Sequence, residues 1–164
     1  MFGEKTAHGD TAIAGEDIDM ELGTKSVTLF DVAEAEMVKM PPVYMPLEHA
    51  FTSSMYRRTI FMPKGTLVST RIHKTEHFFS ITKGHVQIIE PDGNKEIKAP
   101  FSGVTYPGTQ RLIYIVEDTT WETYHVTDLT DPDLIAEQIT EHHNPLLDKE
   151  DPRLQAYKSE PALT

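Results

Sequence analysis

The sequence of 164 residues contains no cysteine, which excludes a disulfide framework and any zinc site built on thiolates. It also has no apolar run long enough to cross a bilayer, and its N-terminus lacks the hydrophobic stretch of a secretory signal. A chain of this length can bury a core without cross-links. We therefore predict a soluble, cytoplasmic protein with no membrane partner.

Basic residues are also scarce, since 15 lysines and arginines stand against 26 acids and give a formal charge of −11. The acids concentrate in residues 1–25 and 131–164, which we interpret as solvated ends. A nucleic-acid-binding protein needs a basic surface to neutralise phosphates, so we predict no nucleic-acid partner. The pair Arg57-Arg58 is an exception within acidic sequence and could receive an acidic arm from a neighbouring subunit.

The chain before the central region divides into two segments. Residues 1–25 are polar and show no clear period, which indicates an extended N-terminal arm. Residues 26–55 contain a predicted short helix over Asp31–Met40, which Asp31 caps and Pro41-Pro42 ends, followed by an irregular connection.

The C-terminal segment, residues 129–164, contains a strong helix start at Asp131-Pro132-Asp133. Leu134, Ile135 and Ile139 would form the apolar face of this helix, and Pro145 would stop it. The remaining residues resemble a second extended arm.

Residues 56–128 consist of short β-type runs separated by turn residues, without helical periodicity. We predict strands at Tyr56–Met62, Leu67–His73, His77–Thr82, His85–Glu90, Lys95–Lys98, Val104–Tyr106, Arg111–Val116 and Thr120–Val126. Strands of this length joined by tight turns indicate a single, mainly β domain built as an antiparallel barrel or sandwich. The aromatic side chains Phe78, Phe79, Phe101, Tyr114 and Trp121 are interpreted as its core or as a covered face.

The stretch from Gly65 to Gly84 carries the most informative spacing. It resembles the first motif of the cupin superfamily, in which a glycine, His-x-His, a glutamate and a second glycine recur at fixed intervals. The glycines and the intervals match. Arg71 stands at the first histidine position, His73 keeps the second, and His77 replaces the glutamate.

A second cupin motif is present in reduced form as Gly103-Val-Thr-Tyr-Pro-Gly-Thr-Gln-Arg111, where Arg111 occupies the histidine position. The resemblance covers about residues 56–128 and implies a jelly-roll type of cupin-like barrel. The wording of the stretch also resembles small cupin proteins encoded by tailed bacteriophages and prophages. Because the ligand identities differ, the chemistry of the family does not transfer directly.

We predict that four side chains, Arg71, His73, His77 and Arg111, line a common pocket, because residues two apart on a strand share a face. Two arginines in such a pocket could bind a small anionic ligand, while His73 and His77 titrate near neutrality as acid or base. The alternative is that Arg71 and Arg111 pair with acids such as Glu76 or Glu122.

A metal site is the other use of these histidines, although we predict that no cofactor is bound. His73 and His77 could hold divalent iron, manganese, nickel or zinc together with a third ligand. The candidates for that ligand are His125, Glu76 and Gln110. Arginine keeps its proton and is not a ligand.

The preferred functional hypothesis is a non-catalytic, oligomeric structural or accessory protein of phage type. It would act in the host cytoplasm or in the virion, as a homo-oligomer of two or more subunits or beside other virion proteins. The first alternative is a small-molecule enzyme, either a metal-dependent oxygenase or isomerase, or an isomerase that uses histidine as a base. The second is a module that binds an anionic metabolite.

Overall fold

The computed structural model describes residues 18–22, 25–90, 92–142 and 144. These form eleven strands and two helices. In chain order they are β1 (Ile18–Leu22), β2 (Lys25–Val27), α1 (Leu29–Met37), β3 (Leu47–Phe51), β4 (Met55–Met62), β5 (Leu67–Ser69), β6 (Ile72–His73), β7 (His77–Ile88), β8 (Lys95–Lys98), β9 (Phe101–Thr105), β10 (Leu112–Val126), α2 (Pro132–Ile139) and β11 (Thr140–Glu141).

A seven-stranded antiparallel sheet forms the body of the molecule, with the strand order β3-β4-β10-β7-β8. Strand β5 also pairs with β10, and β9 also pairs with β7. The predicted fold class is confirmed: the described chain is mainly β and antiparallel, with a short helix before and after the sheet, and the arrangement fits a jelly roll.

Two predicted turns are bends within long strands. Strand β7 continues through Lys83-Gly84, and β10 continues through Glu117-Asp118, where the pairing of the two strands shifts register. Gly84 has a φ of +102°, and a β-carbon there would lie 2.6 Å from the carbonyl oxygen of Asp118. The two strands therefore bend together at a point where only glycine leaves enough room.

Helix α1 begins earlier than predicted and ends earlier. Thr28, not Asp31, is the N-cap: Thr28 Oγ1 accepts from the backbone N–H of Asp31 at 3.2 Å. Asp31 Oδ2 accepts in return from the N–H of Thr28 at 2.8 Å, which completes a capping box.

Helix α2 begins as predicted, with Asp131 Oδ1 accepting from the N–H of Asp133 at 2.9 Å. It ends at Ile139, before Pro145, because Thr140 enters the short strand β11 that pairs with β6. Ile135 and Ile139 are buried as predicted, whereas Leu134 is exposed.

The predicted arms fall largely on residues 1–17, 23–24 and 145–164, which lie outside the described residues. Within the N-terminal arm the structure differs from the prediction, since Ile18–Leu22 forms a strand that pairs antiparallel with Lys25–Val27. The alternation of apolar and acidic residues over Ile18–Leu22 has the period of two that strands require.

The main core lies on the inner face of the sheet, the face toward which Met62, Phe79, Ile81, Ile115 and Trp121 point. A smaller cluster joins Tyr56 of β4 to Ile135 and Ile139 of α2. Among the predicted core aromatics, Phe79 and Trp121 are buried, but Phe78 and Tyr114 are exposed because they alternate onto the outer face. Phe101 is 38% exposed, although its ring lies 5.9 Å from that of Phe79 on the inner face. No helix in the described ranges is long and apolar enough to cross a membrane.

Candidate functional site

The inner face of the sheet is divided into an apolar half and a polar half. On β10, Trp121 belongs to the core, whereas Thr123 and His125 follow at alternate positions on the same face. Their cross-strand partners on β4 are Arg58 for Thr123 and Tyr56 for His125. The strand pleat therefore collects polar side chains at one end of the face. We call this region the polar end.

Three histidine rings form the centre of the polar end. The ring centroid of His77, on β7, lies 4.7 Å from that of His73 and 4.3 Å from that of His125. His77 and His125 are buried, and His73 is partly buried. The structure thus brings together all three histidines for which the sequence predicted a metal or pocket role.

One nitrogen in each of the three rings is buried without a hydrogen-bond partner among the described residues: His73 Nδ1, His77 Nε2 and His125 Nδ1. The Nδ1 atom of His77 lies 3.1 Å from the carbonyl oxygen of Thr75, which can only accept a hydrogen bond. In its neutral form His77 therefore carries its proton on Nδ1, and the lone pair on Nε2 faces the cluster.

Burial keeps these imidazoles neutral. Desolvation, followed by the nearby His77, Arg111 and Arg58, lowers the pKa of His73 to about 3. Desolvation, followed by His77, His73 and Arg58, lowers the pKa of His125 to about 3. Desolvation also lowers the pKa of His77, against the carbonyl of Thr75, which raises it. The expectation that His73 titrates near neutrality is therefore wrong, because the sequence does not reveal how deeply the ring is buried.

Arg111 is the predicted pocket arginine that lies on the buried side of the sheet. It is buried, its Nη1 donates to Thr105 Oγ1 at 3.1 Å, and its guanidinium carbon lies 5.2 Å from the centre of the Phe79 ring. Together with its effect on the pKa of His73, these contacts place a positive charge beside the imidazoles.

Arg71 is the predicted pocket residue that the structure leaves at the surface. The prediction assumed one continuous strand from Leu67 to His73, in which Arg71 and His73 would share a face. The strand is interrupted instead, because Ser69 ends β5 and Ile72 begins β6, and Arg71 is exposed in the gap. Its charge still affects the polar end, since it lowers the pKa of the neighbouring Arg58.

The other predicted partners lie elsewhere. Glu76 is exposed, and Gln110 Nε2 donates to Glu34 Oε1 at 3.3 Å. Glu122 points to the outer face, where its Oε1 lies 3.9 Å from Arg57 Nη1. The predicted pairing of a pocket arginine with Glu122 is therefore replaced by a pairing with Arg57.

Sequence reasoning missed Arg58, Tyr56 and His49. Tyr56 is buried, with its ring between those of His49 and His125, and its hydroxyl lies 2.6 Å from His49 Nδ1. Arg58 is partly buried on the same face, and desolvation lowers its pKa. In the part of the chain that the structure describes, no hydrogen bond or ion pair joins the side chain of Arg58 to another residue. The alternation along Met55–Met62 was the signal that could have placed Arg58 on the inner face and Arg57 on the outer one.

Three neutral imidazoles with unpaired nitrogens are suitable donors for a transition metal. However, the described ranges contain no group of three His, Cys, Asp or Glu side chains that is placed to hold a metal ion. The three imidazoles are therefore chemically suitable metal ligands, but in this structure their nitrogen atoms do not converge on one point.

No protein-family model and no curated protein matches the chain. Solved structures similar to it include a cupin superfamily protein from Desulfitobacterium hafniense, with a TM-score of 0.44 and 10% identity over 57% of this chain and 87% of that one. An acetylacetone dioxygenase from Acinetobacter johnsonii gives a TM-score of 0.42 and 15% identity over 53% and 65% of the two chains.

The cupin domain of Cnp3 from Schizosaccharomyces pombe gives a TM-score of 0.42 and 17% identity, covering 60% of this chain and 70% of that domain. Cupin domains recur among these similar structures. The similarities are too distant to assign an activity. The resemblance to phage-encoded proteins stays a prediction.

Proposed function

We propose that the chain binds a small anionic ligand at the polar end. The observation that carries this proposal is Arg58, a partly buried guanidinium with no acidic partner among the described residues. A buried charge without a partner is destabilising by several kcal/mol, and an anion removes that cost. Arg58 and Arg111 both lower the pKa of His73, so the potential at the cluster is positive and favours an anion.

The protonation state of His77 restricts which anions can bind. Because His77 Nε2 carries a lone pair, it accepts a hydrogen bond and repels a bare carboxylate oxygen. A ligand that satisfies both Arg58 and His77 has an anionic group for the guanidinium and a hydroxyl group that donates to Nε2. Hydroxy acids and phosphorylated or oxidised sugars have this combination.

Arg57 and Arg58 are neighbours on opposite faces of β4, so substitutions of the two residues form a matched pair of variants. Titration calorimetry with inorganic phosphate and with glycolate should show binding that Arg58→Met weakens by about tenfold or more, as expected for lost charge-assisted hydrogen bonds. Arg57→Met removes an outer-face arginine that pairs with Glu122 and should leave the affinity within about twofold. Equal affinities in the two variants, or no binding of either probe to the unaltered protein, would contradict the proposal.

A second comparison tests the hydroxyl requirement. Glycolate and acetate differ by one hydroxyl group, so glycolate should bind more tightly, by roughly the 0.5–1.5 kcal/mol of one hydrogen bond. His77→Leu should abolish this difference while both ligands still bind. Should acetate bind as tightly as glycolate to the unaltered protein, His77 has no role in recognition.

The unpaired nitrogens also favour a metal proposal, in which His73, His77 and His125 hold iron, manganese, nickel or zinc after the rings turn toward one point. Such an ion would supply Lewis acidity next to a bound anion. The metal content of untagged protein, measured by mass spectrometry, should then fall in His125→Gln but not in His85→Gln, whose ring lies at Glu96. Less than about a tenth of an equivalent in the unaltered protein, before and after addition of these metals, would exclude this proposal.

The oligomeric structural or accessory role also remains a proposal, and one feature of the outer face favours self-association. An apolar row crosses four strands there and consists of Met55, Val126, Tyr124, Phe78 and Val104, which are linked by cross-strand pairing. Val126 is 82% exposed and Phe78 is 66% exposed. Contiguous apolar surface of this kind is typical of interaction sites.

A further inference from the structure

Glu34, on α1, is a buried carboxylate that accepts hydrogen bonds from four side chains. Its Oε1 accepts from Ser69 Oγ at 2.6 Å and from Gln110 Nε2 at 3.3 Å. Its Oε2 accepts from His142 Nε2 at 3.1 Å and from Asn144 Nδ2 at 2.9 Å. Neither the cupin resemblance nor the sequence patterns predicted a role for this residue.

Each donor is close in sequence to a residue of the polar end. Ser69 ends β5, in the stretch of chain that leads to His73, and Gln110 immediately precedes Arg111. His142 and Asn144 follow β11, whose Thr140 pairs with His73. A single carboxylate thus joins three separate segments, which lead to His73, carry Arg111 and continue from the strand that pairs with His73.

Helix α2 and strand β11 pack next to the histidine cluster on two sides. On one side, Ile135 and Ile139 pack on Tyr56, whose ring lies 6.0 Å from that of His125. On the other side, β11 pairs with β6, and the N–H of Lys74 donates to the carbonyl oxygen of Ile139 at 2.8 Å. This attachment is small, because β11 has two residues and the cluster with Tyr56 has three.

The hydrogen bonds to Glu34 together change the pKa of its carboxyl group by more than burial does. Burial alone would raise its pKa, but hydrogen bonds from His142, Ser69 and Asn144 outweigh burial and hold the pKa of the carboxyl group below its ordinary value. Glu34 is therefore ionised near neutral pH, and its hydrogen bonds are of the charge-assisted type.

We infer that Glu34 is a positioning residue for the anion-binding site: through His142 and Asn144 it holds β11 against β6 at the polar end, and it keeps Arg111 and His73 in place. This inference rests on the proposed function, since it deepens the account of the same site. Loss of the carboxylate loosens β11 and weakens ligand binding, although Glu34 does not contact the ligand.

The test compares Glu34→Gln with Glu36→Gln, a change on the same helix at an exposed residue that pairs only with Lys39. Hydrogen exchange monitored by NMR reports the Lys74 amide, which depends on the β6–β11 contact. We expect Glu34→Gln to accelerate that exchange at least tenfold and to weaken binding of inorganic phosphate at least fivefold. Glu36→Gln should change neither quantity. Unchanged exchange and unchanged affinity in folded Glu34→Gln would overturn the inference.

Two further outcomes are decisive. If the unaltered protein binds neither phosphate nor glycolate, the proposed function fails, while the exchange of Lys74 still decides whether Glu34 holds β11. If Glu34→Gln does not fold, His142→Ala takes its place, because that side chain is 38% exposed and contributes one of the four bonds. His142→Ala should accelerate exchange at Lys74 with little change in exchange within β10, and an unchanged Lys74 amide would overturn the inference.

Discussion

At the scale of single residues, the environment of a side chain decides its chemistry more than its type does. His73, His77 and His125 are histidines, whose charge ordinarily changes near neutral pH. In the fold they are crowded against one another and against arginines, and they stay neutral. Acid–base catalysis near pH 7 by His73 or His125 is therefore not supported, whereas hydrogen bonding and metal binding by neutral rings are.

The same environment makes stability depend on pH. His73 and His125 have a pKa of about 3 in the folded chain and about 6.5 when unfolded, so the unfolded chain binds more protons between these values. The contribution of the neutral rings is fully present above pH 6.5 and is lost as the pH falls toward 3. Urea denaturation of chelator-treated protein should show the free energy of unfolding decreasing by up to about 1.4 kcal/mol per pH unit for each ring.

The window from pH 6.5 to 5 separates the effect of the buried histidines from that of carboxylates such as Glu34, which protonate below it. His49 and His77, whose pKa is also lowered by burial, contribute in the same window. His73→Gln and His125→Gln should each flatten the slope in this window, whatever they do to stability at pH 7. A slope that neither variant alters would show that other groups take up the protons.

At the scale of strands and helices, sequence patterns were informative where local chemistry decides the structure. The start of α2 at Asp131-Pro132-Asp133 is correct because a cap and its helix lie within a few residues. The bends in β7 and β10 were interpreted as turns, because Gly84 and Asp118 are typical turn residues. Strands β7 and β10 pair with each other, and this pairing holds both chains extended through those positions. The two strands are remote from each other in the sequence, so local patterns do not reveal the pairing.

Gly84 provides a test of the joint bend. Gly84→Ala places a methyl group against Asp118 and Thr119 and also forces alanine into a φ of +102°. Gly65→Ala meets a similar φ of +82° with no atom within 4 Å, so it isolates the backbone term of about 1 kcal/mol. Chemical denaturation should show Gly84→Ala to be more destabilising than Gly65→Ala by about 1–3 kcal/mol. Equal losses would mean that the strands move apart freely at the bend.

At the scale of the whole molecule, the antiparallel β architecture could be predicted from the sequence, whereas the pocket of Arg71, His73, His77 and Arg111 stays a prediction. Alternation and glycine spacing are local features that the strands keep, and the rings of His73 and His77 lie side by side. The interruption between β5 and β6 removed Arg71, and the arrival of Glu34 from α1 could not be predicted, because tertiary contacts alone create it.

Self-association also belongs to this scale. If the apolar row on the outer face is an interface, light scattering after gel filtration should give at least twice the chain mass at micromolar concentrations. Phe78→Glu should return the protein to the mass of one chain, since it places a charge in the row. Met40→Glu, at a residue that is 57% exposed outside the row, should not. A single-chain mass for the unaltered protein at all concentrations would remove this proposal.

Because Arg57 and Arg58 lie on opposite faces of β4, the register between β4 and β10 decides which of the two arginines faces the polar end. A slip of one residue between β4 and β10 would bring Arg57 inward and send Arg58 to solvent, and it would also turn Tyr56 away from α2. Mispaired chains would thus lose ligand affinity and the docking of the C-terminal helix at the same time. Retention on an immobilised anion would therefore separate correctly registered molecules from slipped ones in a refolded sample.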